Sequence, residues 1–410
     1  MLKFQSNALT DVGKVRKHNE DSFLEDPELG LYVVCDGMGG HQAGEVASQL
    51  ACQTLRDYLK RQIQAGATRP NREKAKASLR EGILAACERV FQDGNSNPEH
   101  KGMGTTLVSL LTIDDRVILG HIGDSRIYLM REGKIHQLTQ DHSLVNELVQ
   151  KGIMTKEAAM KHPQANVITK AIGIAPVVEP DILEFEIMPG DRFLLCSDGL
   201  SKHVTDEKIL SIAHQSKLAE VNNLLIQSAL SAGGTDNITA ILLGVEDEQK
   251  QNTRTEGTNI LVTKKIDTLK RIPLFSSMDF GQLSKVLEVI EVKSFSESET
   301  IIKQGDSARE MFIILQGKAE VSKDGHIINR LGPGAYFGEM ALIDDAPRSA
   351  SITSTEKTKV LALEQAKLFR LLEQNSDMAK QIYWFFLQTL SKRLREKEEE
   401  LLKLNKLHGN

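Results

Sequence analysis

Leu31-Tyr32-Val33-Val34-Cys35 runs directly into Asp36-Gly37-Met38-Gly39-Gly40. The same construction returns as Arg192-Phe193-Leu194-Leu195-Cys196 followed by Ser197-Asp198-Gly199. A short apolar run closed by turn residues reads as a strand buried on both faces. Each of these strands ends in an acid and a glycine. Working outward, residues 42–63 and 73–92 carry helical periodicity. Thr105 to Thr112, Val117 to His121 and Ser125 to Met130 read as successive strands. Residues 142–170 are more polar and mostly helical, 206–232 return to helix, and Ile238 to Val245 closes the domain as a strand.

The pattern breaks at Glu246. Residues 246–260 are polar and aperiodic and read as a linker, giving domains at 1–245 and 261–410. The centre of the second domain is β-rich, with strands expected at Met311 to Leu315, Ala319 to Ser322 and Ile327 to Leu331. Asp324-Gly325 is a hairpin signal. From Glu364 to Leu407 the pattern is helical. The fold class expected is α+β, in two domains. A chain of 410 residues with 40% hydrophobic content can bury a core in each. Its net charge of −5 argues against general nucleic-acid binding. No run approaches the ~20 apolar residues of a membrane span, and the first residues lack a secretory signal core. Four cysteines do not make a disulfide framework, so a cytoplasmic location is expected.

The chemistry lies at the strand ends. Asp36, Asp198, Asp124 in Gly123-Asp124-Ser125-Arg126 and Asp236 in Gly233-Gly234-Thr235-Asp236-Asn237 all stand beside glycines or turns. Any one Asp-Gly is ordinarily a turn. Four in these contexts suggest an oxygen-rich site, the donor set that Mg²⁺ and Mn²⁺ prefer. Two such ions ~4 Å apart can activate a water and orient a phosphoryl group. Cysteine chemistry is the competitor. It needs Cys-x5-Arg to hold phosphate around a thiolate, but six residues beyond Cys35, Cys52, Cys87 and Cys196 stand His41, Tyr58, Asp93 and Lys202. The cysteines read as small buried residues. Asn237-Ile238-Thr239 fits a glycosylation pattern only by accident in such a chain.

Arg16-Lys17-His18-Asn19-Glu20-Asp21, Asp36-Gly37-Met38-Gly39-Gly40, Gly104-Thr105-Thr106, Gly123-Asp124-Ser125-Arg126, Ser197-Asp198-Gly199 and Gly234-Thr235-Asp236-Asn237 occur in that order. Together, over residues ~3–245, they resemble the bacterial branch of the metal-dependent serine/threonine phosphatases of the PP2C (PPM) family. The resemblance implies an α-β-β-α sandwich. It implies that Asp36 bridges two Mn²⁺ or Mg²⁺ ions, with the Gly37 carbonyl on one and Asp198 and Asp236 on the other. Glu20 would act through metal-bound water, and Asp124 would help hold a more labile third ion. Arg16 would clamp the substrate phosphate. A water between the metals would attack phosphorus directly, without a phospho-enzyme. Human-type members carry a histidine two positions after the bridging aspartate as general acid. Here Met38 stands there, and a thioether cannot donate a proton; His41 nearby is more readily an incidental loop histidine. Residues ~142–170 match the position of the family's flap.

In the second domain, Phe337-Gly338-Glu339-Met340-Ala341-Leu342-Ile343 precedes Asp344-Asp345-Ala346-Pro347-Arg348-Ser349-Ala350. A glycine before a helical turn offers free N–H donors to an anion. A glutamate can accept from a ribose hydroxyl, and an arginine and a serine can return to the phosphate. An ordinary β-roll hairpin with a surface Arg–Glu pair is the plainer alternative. The string resembles the phosphate cassette of cyclic-nucleotide-binding domains, and the likeness extends from Pro273 to the helix past 364. It implies a β-roll with flanking helices in which Gly338, Met340 and Ala341 hold the cyclic phosphate, Glu339 the ribose and Arg348 the phosphate. Ser349 leaves cAMP and cGMP both open, with a lean to cAMP. Bacterial transcription factors of this type add a DNA-binding unit, for which the residues after 392 leave no room. Lys392 to Leu404, rich in charge and leucine, fits either a short dimeric coiled coil or a single solvated helix. Tyr383-Trp384-Phe385-Phe386 is expected to pack on the β-roll rather than form a lid.

The expected protein is thus a phosphatase acting on phosphoprotein substrates of a serine/threonine kinase and regulated by a cyclic nucleotide. A homodimer through the C-terminal helix is one option, and no nucleic-acid or membrane partner is expected. The rival readings are a non-catalytic scaffold and a phosphatase whose second domain only docks.

Overall fold

The structure is a computed structural model. It describes residues 2–39, 43–64, 72–150, 153–160, 162–247, 265, 268–276, 278, 280–307, 309–343 and 346–408. The chain divides into two compact units, Met1–Arg254 and Thr255–Asn410.

The first unit contains strands β1 (Leu2–Asp11), β2 (Asp21–Asp26), β3 (Leu31–Met38), β4 (Gly104–Thr105), β5 (Leu107–Ile113), β6 (Arg116–Ile122), β7 (Arg126–Arg131), β8 (Lys134–Gln137), β9 (Asp181–Glu186), β10 (Arg192–Cys196) and β11 (Ile238–Asp247). Its main helices are α1 (Ala43–Gln64) and α2 (Arg72–Ser96), then two short helices α3 (Leu144–Gln150) and α4 (Lys156–Met160). A single turn α5 (Asp198–Ser201), α6 (Asp206–Gln215) and α7 (Leu218–Ser231) complete it. One sheet has the order β1-β11-β10-β7-β8. The other runs β2-β3-β5-β6-β9, with β4 pairing to β3. Every pairing is antiparallel.

The sheets face each other and each carries helices on its outer side, an α-β-β-α sandwich. Leu31, Val33 and Cys35 of β3 pack under α1 and α2, against Ala47, Ala51, Leu55 and Leu59 at four-residue spacing and Leu79, Ile83 and Val90. On the far side Leu194, Cys196, Ala240 and Leu242 pack under Val221, Leu225 and Ala229 of α7. The intervening residues, among them Tyr32, Val34, Phe193, Leu195 and Ile241, are also buried, and Phe185 of β9 meets Phe193 of β10 with ring centroids 6.0 Å apart. Both faces of the central strands are therefore covered. That is why they read as unbroken apolar runs rather than alternating ones.

Four strands of the first unit were not legible. β1 is only half buried, β2 holds just two adjacent apolar residues, Phe23 and Leu24, between polar ones, β8 is a four-residue edge strand, and β9 is an edge strand rich in acids. The region 142–170 is less helical than expected, with α3 and α4 the helices among its described residues. It closes as a loop through the bridge Ser143↔Ile168 and the Thr169 N–H to His142 carbonyl bond of 2.8 Å. The helix expected over 206–232 is two helices, α6 and α7. Strand β11 runs two residues into the stretch read as linker; residues 248–264 lie outside the described residues. All four cysteines are buried thiols, and burial raises those of Cys35, Cys87 and Cys196.

The second unit is a β-roll of two four-stranded antiparallel sheets. One has the strand order 290–295, 358–364, 310–316, 336–337 and the other 300–302, 351–354, 319–323, 326–331. Ile302, Phe312, Ile314, Phe337, Ile352 and Val360 fill the space between. Asp324 (φ 51°) and Gly325 (φ 81°) make the hairpin turn between Ala319–Lys323 and His326–Leu331. Helices Phe280–Glu288, Gln365–Glu373 and Ser376–His408 flank the roll. In the last helix only Phe386 of the aromatic run is well buried. Trp384 is 63% exposed, contrary to the packing expected of it.

Candidate active site and nucleotide cassette

The acids converge where the strands of the first unit end. Asp36 and Gly37 finish β3, with Asp21 of β2 directly opposite Asp36 in the register. Threonines fix this end. The Thr106 N–H and the Thr105 hydroxyl both donate to the Asp36 carbonyl at 2.9 Å, and the Asp36 N–H donates to the Thr106 hydroxyl at 3.0 Å. The Gly37 N–H donates to the Glu20 carbonyl at 3.1 Å. Gly37 is glycine for want of room. A Cβ there would lie 2.1 Å from the Gly44 carbonyl oxygen and 2.5 Å from that of Glu20. Asp198 opens the α5 turn, where a Cβ on Gly199 would lie 2.0 Å from the Asn237 carbonyl oxygen.

Asn237 explains why the segment before β11 matters. Its side chain accepts from the Glu20 N–H and donates to the carbonyls of Val12 and His18, each at 2.9 Å. It thereby knits the loop carrying Arg16 and Glu20 to Asp236. It is also buried, so the glycosylation pattern is accidental here. Arg16 donates to Asp236 Oδ2 at 2.9 Å, and its guanidinium lies 3.5 Å from Glu20 Oε2.

The electrostatics follow from crowding. Burial, with Asp21, Asp198, Asp124 and Asp236 around it, holds the Asp36 carboxyl well above the usual carboxylate range. Burial also lifts Asp124 to about 7, with Asp198 adding to the rise, and Asp21 to about 7 despite hydrogen bonds from Thr239 and Ser197. Burial raises Glu20 as well, against the nearby Arg16. Buried like charges hold protons unless a cation offsets them. Asp124 Oδ1 and Asp198 Oδ1 are buried without a hydrogen-bond partner among the described residues. Carboxylate oxygens buried and unsatisfied in an acidic cluster suit a hard divalent cation. The residues present therefore fit the metals that the resemblance implies.

The structure thus brings together Arg16, Glu20, Asp36, Gly37, Asp124, Asp198 and Asp236. Met38 is half-buried at the end of β3; Gly40 and His41 lie outside the described residues. Sequence reasoning missed three contributors. Asp21 accepts from the Ser197 hydroxyl at 2.7 Å, tying β2 to the strand end before Asp198. Lys202 contacts Asp198 Oδ2 and lies 3.9 Å from Asp124 Oδ2. Its place four residues after Asp198 was the available signal. His142 accepts from the Gly123 N–H at 3.0 Å through Nδ1 and faces Asp181 Oδ2 at 3.2 Å through Nε2. It stacks on the buried His121, with centroids 4.6 Å apart. These contacts anchor the turn that carries Asp124 to β9. Beside it Arg126 grips Asp141 with two nitrogens, at 2.9 and 2.7 Å.

In the second unit Gly338 takes the left-handed conformation (φ 75°) that starts the short turn Glu339–Leu342. Arg348 is buried. Its Nη2 donates to the Glu310 carbonyl at 2.6 Å and its Nη1 to the Gly338 carbonyl at 3.3 Å, while Nε has no partner among the described residues. Gly338, Glu339, Met340, Ala341 and Arg348 are thus in one place, and Ser349 beside them is exposed. Asp344 and Asp345 lie outside the described residues.

The family model for protein phosphatase 2C matches residues 14–237, more than half of the chain. This chain belongs to the protein phosphatase 2C family. It is a serine/threonine protein phosphatase in type, and a cyclic nucleotide-binding domain follows, matched over residues 292–375. The serine/threonine phosphatase stp of Listeria monocytogenes is 38% identical over 245 residues, covering 59% of this chain and 96% of that protein. The serine/threonine protein phosphatase PstP of Mycobacterium tuberculosis is 42% identical over 240 residues, covering 58% of this chain and 45% of PstP. A crystal structure of the PstP catalytic domain in complex with two manganese ions aligns at 38% identity with a TM-score of 0.54. It covers 60% of this chain and all of that one. Among the described residues no helix is long and apolar enough to cross a membrane.

Proposed function

We propose that this phosphatase hydrolyses phosphoserine and phosphothreonine in proteins at the Asp36 centre, with two Mn²⁺ or Mg²⁺ ions as cofactors. The observation that carries this is the convergence of Asp36, Asp124, Asp198 and Asp236, where burial and crowding raise the Asp36 and Asp124 carboxyls and Asp124 Oδ1 and Asp198 Oδ1 have no hydrogen-bond partner among the described residues. Asp36, the Gly37 carbonyl, Asp198 and Asp236 would hold the two ions, with Glu20 and Asp124 at the margin. When bound, the ions supply a nucleophilic water and positive charge toward the phosphoryl oxygens. Arg16 is the residue for the substrate phosphate. Its planar donor set can exchange Asp236 and Glu20 for phosphoryl oxygens, and it is exposed enough to meet them. Gly37 and the threonines around Asp36 keep the strand end rigid, and rigidity at that point is what positioning requires.

The second domain takes a cyclic nucleotide, cAMP slightly ahead of cGMP, and alters phosphatase output. Arg348 already braces the Gly338 turn, and its free Nε is a donor that a cyclic phosphate would satisfy. Glu339 would accept from the ribose. The long helix Ser376–His408, with Tyr383, Leu387, Leu390 and Leu394 exposed, suits pairing with a second copy.

The test is initial-rate hydrolysis of a phosphothreonine peptide in Mn²⁺, with and without saturating cAMP or cGMP. The expected result is a metal-dependent rate that one nucleotide changes. Asp36→Asn should lower that rate about a hundredfold or more, and Arg348→Ala should erase the nucleotide effect alone. A rate untouched by Asp36→Asn refutes the centre. A rate indifferent to both nucleotides makes the second unit a docking module.

A further inference from the structure

The α5 turn returns the chain so that the Lys202 N–H donates to the Asp198 carbonyl at 2.8 Å. The Lys202 ammonium folds back onto the same residue, touching Asp198 Oδ2, and reaches to 3.9 Å from Asp124 Oδ2. Asp124 and Asp198 come from different strand ends, β6–β7 and β10. Lys202 is the cation that spans them, while the guanidinium of Arg16 is taken up by Asp236 and Glu20. Asp124 is almost wholly buried, and Asp124 Oδ1 and Asp198 Oδ1 have no partner among the described residues. One oxygen of each acid therefore faces the ammonium, and the other is left for a cation elsewhere in the cluster.

We propose that Lys202 is a built-in counter-ion for the Asp124–Asp198 pair, holding the place where a third divalent ion would otherwise bind. The inference rests on the two-ion reading of the Asp36 centre and adds to it. An ammonium is a compact point charge on a flexible stem. At about 4 Å it competes directly with a divalent ion for the same two carboxylates, in surroundings where such charges are poorly screened. The chain therefore needs only two exchangeable ions, and a third enters only if Lys202 swings away. Lys202 also offsets part of the pair's negative charge when metal is absent, so it stabilises the metal-free fold.

The experiment uses the full chain, Mn²⁺ as the probe and two variants, Lys202→Gln and Lys202→Arg. Lys202 is more than a third exposed on its side chain, so both variants should fold. Free Mn²⁺ is followed by electron paramagnetic resonance during titration, and melting temperature is measured in EDTA. Wild type and Lys202→Arg should saturate at two ions per chain. Lys202→Gln should take up one more, at least about tenfold tighter than any third ion of the wild type. In EDTA, Lys202→Gln should melt about 3 °C or more below wild type, with Lys202→Arg close to wild type. Isotherms that coincide at two ions overturn the role of Lys202 and leave the two-ion reading standing. Isotherms with no bound manganese overturn both. Equal melting of wild type and Lys202→Gln in EDTA also overturns the inference.

Discussion

Gly37→Ala tests whether close backbone approach, rather than the acids alone, builds the active centre. The added Cβ would sit 2.1 Å from the Gly44 carbonyl oxygen, 2.5 Å from the Gly44 carbonyl carbon and 2.5 Å from the Glu20 carbonyl oxygen. Reaching even a tight 3.0 Å from the first requires β3 and the start of α1 to part by about 0.9 Å. No side chain can rotate out of the way, because all three contacts are backbone. Overpacking of this kind costs about 1–3 kcal/mol of stability. The catalytic cost should be larger in effect. The displaced strand end carries Asp36, and a misplacement of about 1 Å can cost about a hundredfold in rate. That equals about 2.7 kcal/mol of lost transition-state stabilisation. The assay is kcat/KM on a phosphothreonine peptide in Mn²⁺, beside a thermal melt. Gly332→Ala serves as control, since nothing lies within 4 Å of its Cβ position. A folded Gly37→Ala protein within threefold of wild-type kcat/KM would refute the reasoning.

Two further predictions concern the sandwich. Arg131 donates to Asp191 at 2.7 and 2.6 Å and to the Glu186 carbonyl at 3.0 Å, with both charged side chains buried. Arg131→Met strands the Asp191 charge, which should cost about 3–5 kcal/mol and lower the melting temperature of the first unit by about 10 °C; a drop under about 3 °C in calorimetry contradicts this. His121 is pushed down to about 4 by burial and by His142, against the pull of Asp181 and Asp141. The unfolded chain then binds more protons below about 6.5, so this contribution is complete above that pH and lost as pH falls toward 4, about 3 kcal/mol in all. The carboxyls of Asp21, Asp36 and Asp124 are shifted up and act with the opposite sign, so wild type must be compared with His121→Gln. Denaturant unfolding at pH 7.5 and 5.0 should show wild type losing about 2 kcal/mol more than the variant, and a pH-independent difference would exclude the histidine.

How far the sequence discloses the site depends on which interaction defines each residue. Asp36 and Asp198 were legible because burial of both strand faces leaves an unbroken apolar run, and an acid after such a run has nowhere to stand but a strand end. Asp124 and Asp236 were legible from glycine-rich turns. Asp21 was not given a role, because its partner Ser197 is 176 positions away and no local pattern announces a cross-sheet hydrogen bond. β1 was missed for a similar reason. Its ten residues are half-buried without a sustained alternation, and are held by a long register to β11 at the other end of the domain. His142 lay in a stretch read as flap, and only the fold brings it beneath Gly123.

Lys202 marks the limit most sharply. Its residue type and its spacing from Asp198 were both visible, yet spacing of four on a surface helix ordinarily means a weak solvated pair. What changes its meaning is Asp124, delivered to the same ammonium from the β6–β7 turn and almost fully buried there. A pair worth little in water acquires weight once one partner cannot reach solvent, because removing the cation then leaves a carboxylate without compensation. The same logic applies at Arg348, where the sequence supplies an arginine and a glycine ten residues apart. Only the closed turn sets the guanidinium on the Gly338 and Glu310 carbonyls. In both units the residue type could be read from the chain, but the chemistry it performs depends on a second strand arriving beside it.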